Sequence, residues 1–287
     1  MSTDPVAPFR RVSPTGATRV ACVVGEPVTH SLSPVMHNAA FAALDLDWVY
    51  TAFSTSDGGA AVDAMRALGI AGMSVTMPCK ESAAAACDEL TPEAAALGAA
   101  NALVLRDDGT VLGHSTDGEG LLASLRDEGI DVSGVRALVV GAGGAARASA
   151  RALGGAGAEV VVVARRPEAA EAAADLAGTA SHGARAAAWG DLPEEAHAAG
   201  LVLNGTPLGM EDEPPPFPVA VLTDRHVVVD LVYEPPETPL LAAGRAVGAT
   251  TVGGRGMLLH QGAAAFRLWT GIEAPLPVMR RALDHRC

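Results

Sequence analysis

Arg136-Ala137-Leu138-Val139-Val140-Gly141-Ala142-Gly143-Gly144-Ala145-Ala146-Arg147 is the stretch on which the fold turns. The unbroken apolar run ending at Val140 reads as a strand covered on both faces, and such strands belong to parallel sheets flanked by helices. The glycines join this strand to a helix predicted to continue to Leu153. Gly141-x-Gly143-x-x-Ala146 at such a junction supplies a tight turn, a place for backbone to approach a pyrophosphate, and a small residue where helix meets strand. The helix start adds unpaired N–H groups and a partial positive charge, which suit a phosphate. Glu159 to Ala164 reads as a second buried strand, and the residues at its end report on the nucleotide's ribose. An acid there would bond a free 2′-hydroxyl, whereas this chain has Ala164-Arg165-Arg166. Guanidiniums match a dianionic 2′-phosphate, so NADP is the expected cofactor, with Arg166 either at that phosphate or facing solvent.

The same alternation continues in both directions from this unit. Downstream, strands are expected at Leu201 to Asn204, His226 to Val232 and Thr250 to Val252, with Glu211 to Pro218 a loop. A helix from Gly256 to Trp269 and a short one from Leu276 to Leu283 close the chain. Upstream, Arg19 to Val24 reads as a strand and Ser33-Pro34 as a helix start, with Ser33 the N-cap. A strand at Trp48 to Phe53, a helix at Gly59 to Leu68 and a strand at Ala71 to Met77 follow, and Pro78 opens the next helix. Asp108-Gly109 marks a hairpin, and Asp117 is placed as the cap of a helix running to Glu128. The expected architecture is α/β in two lobes facing each other across a cleft. Residues 19–117 plus 255–287 make an N-terminal α/β substrate-binding domain, 118–254 a Rossmann-like dinucleotide-binding domain, and the C-terminal helices return to the first lobe. Residues 1–18, with Pro5, Pro8 and Pro14, read as a flexible leader.

Composition narrows the function classes. Of 287 residues 49% are hydrophobic and 18% charged, which disfavours disorder, and 33 acids against 20 bases give a net charge of −13, which repels nucleic acid. An anionic small molecule must then be met by local positive charge or by helix N-termini. Cys22, Cys79, Cys87 and Cys287 show no CxxC spacing, so reduced thiols, a cytoplasmic setting and no metal site are expected. No apolar run is long enough to suggest a membrane span.

Among the 20 basic residues only Lys80 is a lysine. An ammonium can be tuned to exchange its proton near neutral pH, whereas a guanidinium stays charged. Lys80 follows Ser74-Val75-Thr76-Met77-Pro78-Cys79 and falls in a first helical turn, where the helix dipole opposes its charge and makes a purely stabilising role less expected. Asp117, at another helix start, is placed to pair with it if the hairpin folds back, and such a pair can hold a substrate hydroxyl and exchange its proton. In His30-Ser31-Leu32-Ser33-Pro34, read as extended, two hydroxyls point to one side at the mouth of a helix and form a carboxylate cradle that needs no cation.

Eight segments in order now resemble the shikimate dehydrogenase family, from about Val20 to Gly271. They are Gly25-Glu26-Pro27-Val28-Thr29-His30-Ser31-Leu32-Ser33-Pro34 with His37-Asn38; Val75 to Glu81; Gly98-Ala99-Ala100-Asn101; Ser115-Thr116-Asp117-Gly118; the Gly141 loop ending in Arg147; Asn204-Gly205-Thr206-Pro207 with Gly209-Met210; Asp230-Leu231-Val232-Tyr233 with Thr238 to Leu241; and Gln261-Gly262-Ala263. The resemblance implies that Ser31 and Ser33 bind a substrate carboxylate, that Thr76, Asn101 and Gln261 hold ring hydroxyls or neighbouring groups, and that Tyr233 lines the cleft. Lys80 and Asp117 would be the catalytic pair. It implies cofactor contacts at Gly141, Gly143, Gly144, Ala145 and Arg165, with Thr206, Gly254 and Met257 nearer the nicotinamide. The implied reaction is reversible reduction of 3-dehydroshikimate to shikimate by NADPH, in aromatic amino acid biosynthesis, by a monomer or homodimer. Relatives acting on quinate or an aminoshikimate are the alternative, and Ser33, where quinate enzymes often carry threonine, leans towards shikimate. A silent ligand-binding relative is disfavoured by the intact Lys80 and Asp117. Three positions depart from the family pattern: Ser74 replaces the usual asparagine, Ala164 replaces another, and Ala169 stands where a second basic residue is common.

Overall fold

A computed structural model describes residues 13–178, 183–211 and 213–285. Most of the expected leader and Cys287 lie outside the described residues. The first half alternates β1 (Arg19–Gly25), α1 (Ser33–Ala43), β2 (Trp48–Ser54), α2 (Gly58–Leu68), β3 (Gly72–Val75), α3 (Lys80–Ala86), β4 (Glu89–Leu90), α4 (Pro92–Leu97), β5 (Ala102–Leu105), β6 (Val111–His114) and α5 (Asp117–Asp127). Its six strands form one sheet in the order β2-β1-β3-β5-β6-β4. β1 is parallel to β2 and β3, and the predicted hairpin supplies the antiparallel pair β5 and β6.

The second half runs β7 (Arg136–Val140), α6 (Gly144–Gly155), β8 (Glu159–Val163), α7 (Pro167–Gly178), β9 (Ala184–Ala187), α8 (Leu192–Ala198), β10 (Leu201–Asn204), β11 (Val227–Asp230), α9 (Pro239–Ala246) and β12 (Thr250–Gly253), then α10 (Gly254–Thr270) and α11 (Leu276–Asp284). Its sheet, β12-β11-β10-β7-β8-β9, is wholly parallel. Val139, Val160, Val162 and Leu203 pack towards α5, α6 and α7, while Leu138, Val140, Val161 and Val202 pack towards α8 and α9. Coverage on both faces is why these strands read as continuous apolar runs.

Local expectations are corrected at three places along the chain. Ser33 is the first residue of α1 and not its cap, because the chain turns at Val28–Ser31 and Leu32 takes the cap position in helical conformation. Segment 30–33 therefore runs from the end of this turn into α1 and is not an extended strand. Asp117 likewise begins α5 without capping it, and its carboxylate is engaged elsewhere. β3 stops at Val75, and a turn closed by Cys79 N–H donating to Thr76 O (3.0 Å) delays α3 until Lys80.

The C-terminal return is built by α10, which packs Leu258, Leu259, Phe266 and Trp269 against the first sheet and α1. Trp269 Nε1 donates to Leu103 O at 2.9 Å, and its indole lies over Gly72, where an added Cβ would approach the ring to 2.5 Å. α5 packs against both α10 and α6, so it bridges the lobes. Among the described residues no helix is long and apolar enough to cross a membrane.

Gly72→Ala should therefore overpack this contact and cost about 1–3 kcal/mol, read as a lower urea midpoint at unchanged slope. An unchanged midpoint would show that the indole shifts freely.

Candidate active site

The turn after β3 and the start of α5 bring the chain's one lysine to a carboxylate. Lys80 is the first residue of α3, and its backbone carbonyl accepts from Ala100 N–H at 3.1 Å, which ties α3 to the chain entering β5. Its ammonium donates to Asp117 Oδ2 at 2.5 Å, with the two side chains only 15% and 8% exposed. Little solvent reaches this pair, so other groups must satisfy the carboxylate.

Asn101 does so. Its amide Nδ2 donates to Asp117 Oδ1 and to Thr116 Oγ1, both at 2.9 Å, and reaches Gln261 Oε1 at 3.3 Å. Its Oδ1 accepts from Thr116 N–H at 2.7 Å, while its own backbone joins β3 and β6 through Val75 N–H and His114 O. Gln261 is fixed in turn by donation from Nε2 to Leu258 O at 2.9 Å. One buried amide thus orients residues from the hairpin, from α5 and from α10.

One side of the cavity carries Ser31, Ser33, Thr76 and Tyr233, together with Ser74. Ser31 Oγ accepts from the Ser33 backbone N–H at 3.3 Å, and both serines line the cavity without the extended geometry expected of them. Burial pushes the Tyr233 phenol up, with Ser31 opposing the shift. Thr76 presses against Gly25, where an added Cβ would meet its methyl at 2.3 Å, so only glycine admits this close crossing.

Gly143, Gly144, Ala145, Thr206, Gly254 and Met257 line the other side of the same cavity. Gly141 adopts φ +110°, and a Cβ there would come within 3.0 Å of Gly205 O. Gly143, at the N-cap of α6, has no side-chain cap bond, and the space beside it is open. An uncapped helix start behind two glycines is the surface a pyrophosphate requires, so these residues fit a dinucleotide. Thr206 is held by its hydroxyl on Asn204 Oδ1 at 2.6 Å, and Asn204 Nδ2 donates to Asp230 Oδ1 at 3.0 Å. Asp230 Oδ2 accepts from Thr238 at 2.7 Å, while burial raises the Asp230 pKa. Arg165 and Arg166 are exposed just beyond β8 and, like Gly141, lie apart from the cavity lining.

Thr116 and the cross-lobe ion pairs were not anticipated from the sequence. Arg147 meets Glu81 at 2.7 Å and Arg151 meets Glu93 at 2.9 Å, joining α6 to α3 and α4. A charged helix face gives no sequence signal for its partner on a distant helix.

A parallel nucleotide-binding sheet facing a second α/β lobe across a cleft with a paired amine and carboxylate defines a two-lobed NAD(P)-dependent oxidoreductase. Residues 23–103 match the shikimate dehydrogenase substrate binding domain, 254–283 the shikimate 5'-dehydrogenase C-terminal domain, and 129–208 a putative NAD(P)-binding domain. The shikimate dehydrogenase (NADP(+)) of Moorella thermoacetica is 46% identical over 275 residues, 93% of each chain. The shikimate 5-dehydrogenase of Thermus thermophilus, solved with NADP(H) and shikimate, has a TM-score of 0.85 and 38% identity over 94% of this chain and 100% of its own. A quinate dehydrogenase from Corynebacterium glutamicum, solved with NAD, has a TM-score of 0.86 and 34% identity over 93% and 99%. The chain belongs to the shikimate dehydrogenase family.

Asn101→Ala should unpair Thr116 N–H and one Asp117 oxygen and lower stability by about 1–3 kcal/mol in urea unfolding. Wild-type stability in this variant would show that water replaces the amide without loss.

Proposed function

We propose that this chain is an NADP-dependent shikimate dehydrogenase that reversibly reduces 3-dehydroshikimate to shikimate, working in the cytoplasm in aromatic amino acid biosynthesis. The observation that carries this reading is the Lys80–Asp117 pair at 2.5 Å, in one cavity with the two serines and the uncapped start of α6. Residues 19–117 plus 255–287 act as the substrate domain and 118–254 as the cofactor domain.

Ser31 and Ser33 hold the substrate carboxylate, and Thr76, Asn101 and Gln261 meet ring hydroxyls beside Tyr233. Gly141, Gly143, Gly144 and Ala145 form the pyrophosphate turn, Arg165 and Arg166 take the 2′-phosphate, and Thr206, Gly254 and Met257 border the nicotinamide. The cofactor, when bound, supplies or accepts a hydride. Lys80 gives a proton to the developing alkoxide in reduction and takes it back in oxidation, while Asp117 orients the hydroxyl and stabilises the ammonium. Holding both ends of a rigid cyclic acid converts an encounter into a fixed approach.

Lys80→Ala should lower kcat by about 10²–10⁴-fold with substrate affinity much less affected, measured by NADPH absorbance against shikimate, quinate and 3-dehydroshikimate. Turnover near the wild-type rate would remove Lys80 from the chemistry, and a preference for quinate would overturn the substrate assignment. Arg165→Ala should erode the preference for NADPH over NADH, and an unchanged ratio would remove the guanidinium from cofactor selection.

A further inference from the structure

Tyr50 lies on β2 with its hydroxyl buried and without a hydrogen-bond partner. An unpaired buried hydroxyl is costly, and one next to a binding cavity has a use once that cavity fills. The sheet register places it. Tyr50 pairs with Ala21, Ala21 with Gly72, and Val23 with Ser74, so strand alternation sets Tyr50 and Ser74 on one face, two strands apart across small residues of β1. Burial pushes the Tyr50 phenol up, and the neighbouring side chains that oppose the shift are Ser74 and Ser33. Both serines line the candidate site.

The rest of Tyr50 is immobilised. Asn38 brackets its backbone, donating to Tyr50 O at 2.9 Å and accepting from Tyr50 N–H at 2.8 Å. The His37 ring stacks on the phenol at 4.5 Å and 13°, and burial pushes its pKa down to about 3, so it adds no charge. Only the hydroxyl proton is left free to turn. The chain has two tyrosines, and the other, Tyr233, stands in the same relation to Ser31. Each serine of the cradle therefore has a phenol behind it.

We propose that Tyr50 is a positioning residue for the substrate carboxylate: once a carboxylate fills the cavity, its O–H donates to Ser33 Oγ and its oxygen accepts from Ser74, so that the Ser33 proton turns into the cavity. This rests on the proposed shikimate dehydrogenase function. A serine hydroxyl can donate or accept, but a carboxylate only accepts, so a cradle works when its serines are committed to donating. The ordered run Ser74 to Tyr50 to Ser33 to carboxylate makes that commitment, and each bond polarises the next.

The test is Tyr50→Phe in the full chain, with kinetics at saturating NADP and thermal melting of the ligand-free protein. The shikimate KM should rise about 3–10-fold, the scale of one neutral hydrogen bond. kcat and the NADP KM should stay within about twofold, the signature of lost substrate binding. The ligand-free melting temperature should hold or rise, because an unpaired hydroxyl has been removed. In a Ser33→Ala background the same change should add no further rise in KM. An unchanged KM, a KM rise that persists without Ser33, or a lowered melting temperature or failure to fold overturns the proposal, the last pair by showing a merely structural tyrosine. Wild-type protein inert on every cyclic acid overturns the function and this role together, whereas wild-type turnover with a Tyr50→Phe KM unchanged overturns this role alone.

Discussion

An ammonium and a carboxylate in contact, with little water around them, make demands on everything nearby. Each remaining lone pair needs a donor, and each donor needs a rigid mount. Asp117 meets this by dividing its oxygens, one to Lys80 and one to Asn101. Asn101 is rigid because its backbone stitches β3 to β6, so the hairpin, a plain structural element, becomes the mount of the Lys80–Asp117 pair. Gln261 extends the network to α10, the helix whose apolar face packs on the first lobe.

The nucleotide side solves a different problem, that of leaving polar groups exposed to a ligand without collapsing the turn that presents them. Gly141 and Gly205 approach so closely that no side chain fits between them, and Thr206 is tied down through Asn204 to the buried Asp230. Rigid polar scaffolding beneath the loop leaves the N–H groups at the start of α6 uncommitted. The two sides meet where α5 packs on both α6 and α10.

The second sheet is legible because strands covered on both faces leave runs such as Val160 to Val163 with no other reading. Helices α4, α7, α8 and α9 and strand β9 are not, because stretches such as Glu168-Ala169-Ala170-Glu171-Ala172-Ala173-Ala174 give little contrast between a buried and an exposed face. The pairing of Lys80 with Asp117 is anticipated by two helix starts and a hairpin. The local readings at Ser33 and Asp117 fail for one reason: both look like caps, but their side chains face the cavity instead of the helix. A short polar residue at a helix mouth has two competing uses, and only the three-dimensional surroundings decide between them. Tyr50 gives no signal, since an aromatic residue in a buried strand is ordinary core until its hydroxyl is followed to its neighbours.

Gly144 opens α6, and a methyl added there would come within 3.2 Å of the Lys80 side-chain stem. The turn at the start of α6 and the Lys80 side chain therefore share one van der Waals wall. Redesigning the chain for a different coenzyme by grafting a bulkier loop would displace the lysine at the same stroke, so the coenzyme turn and the position of this amine must be altered together.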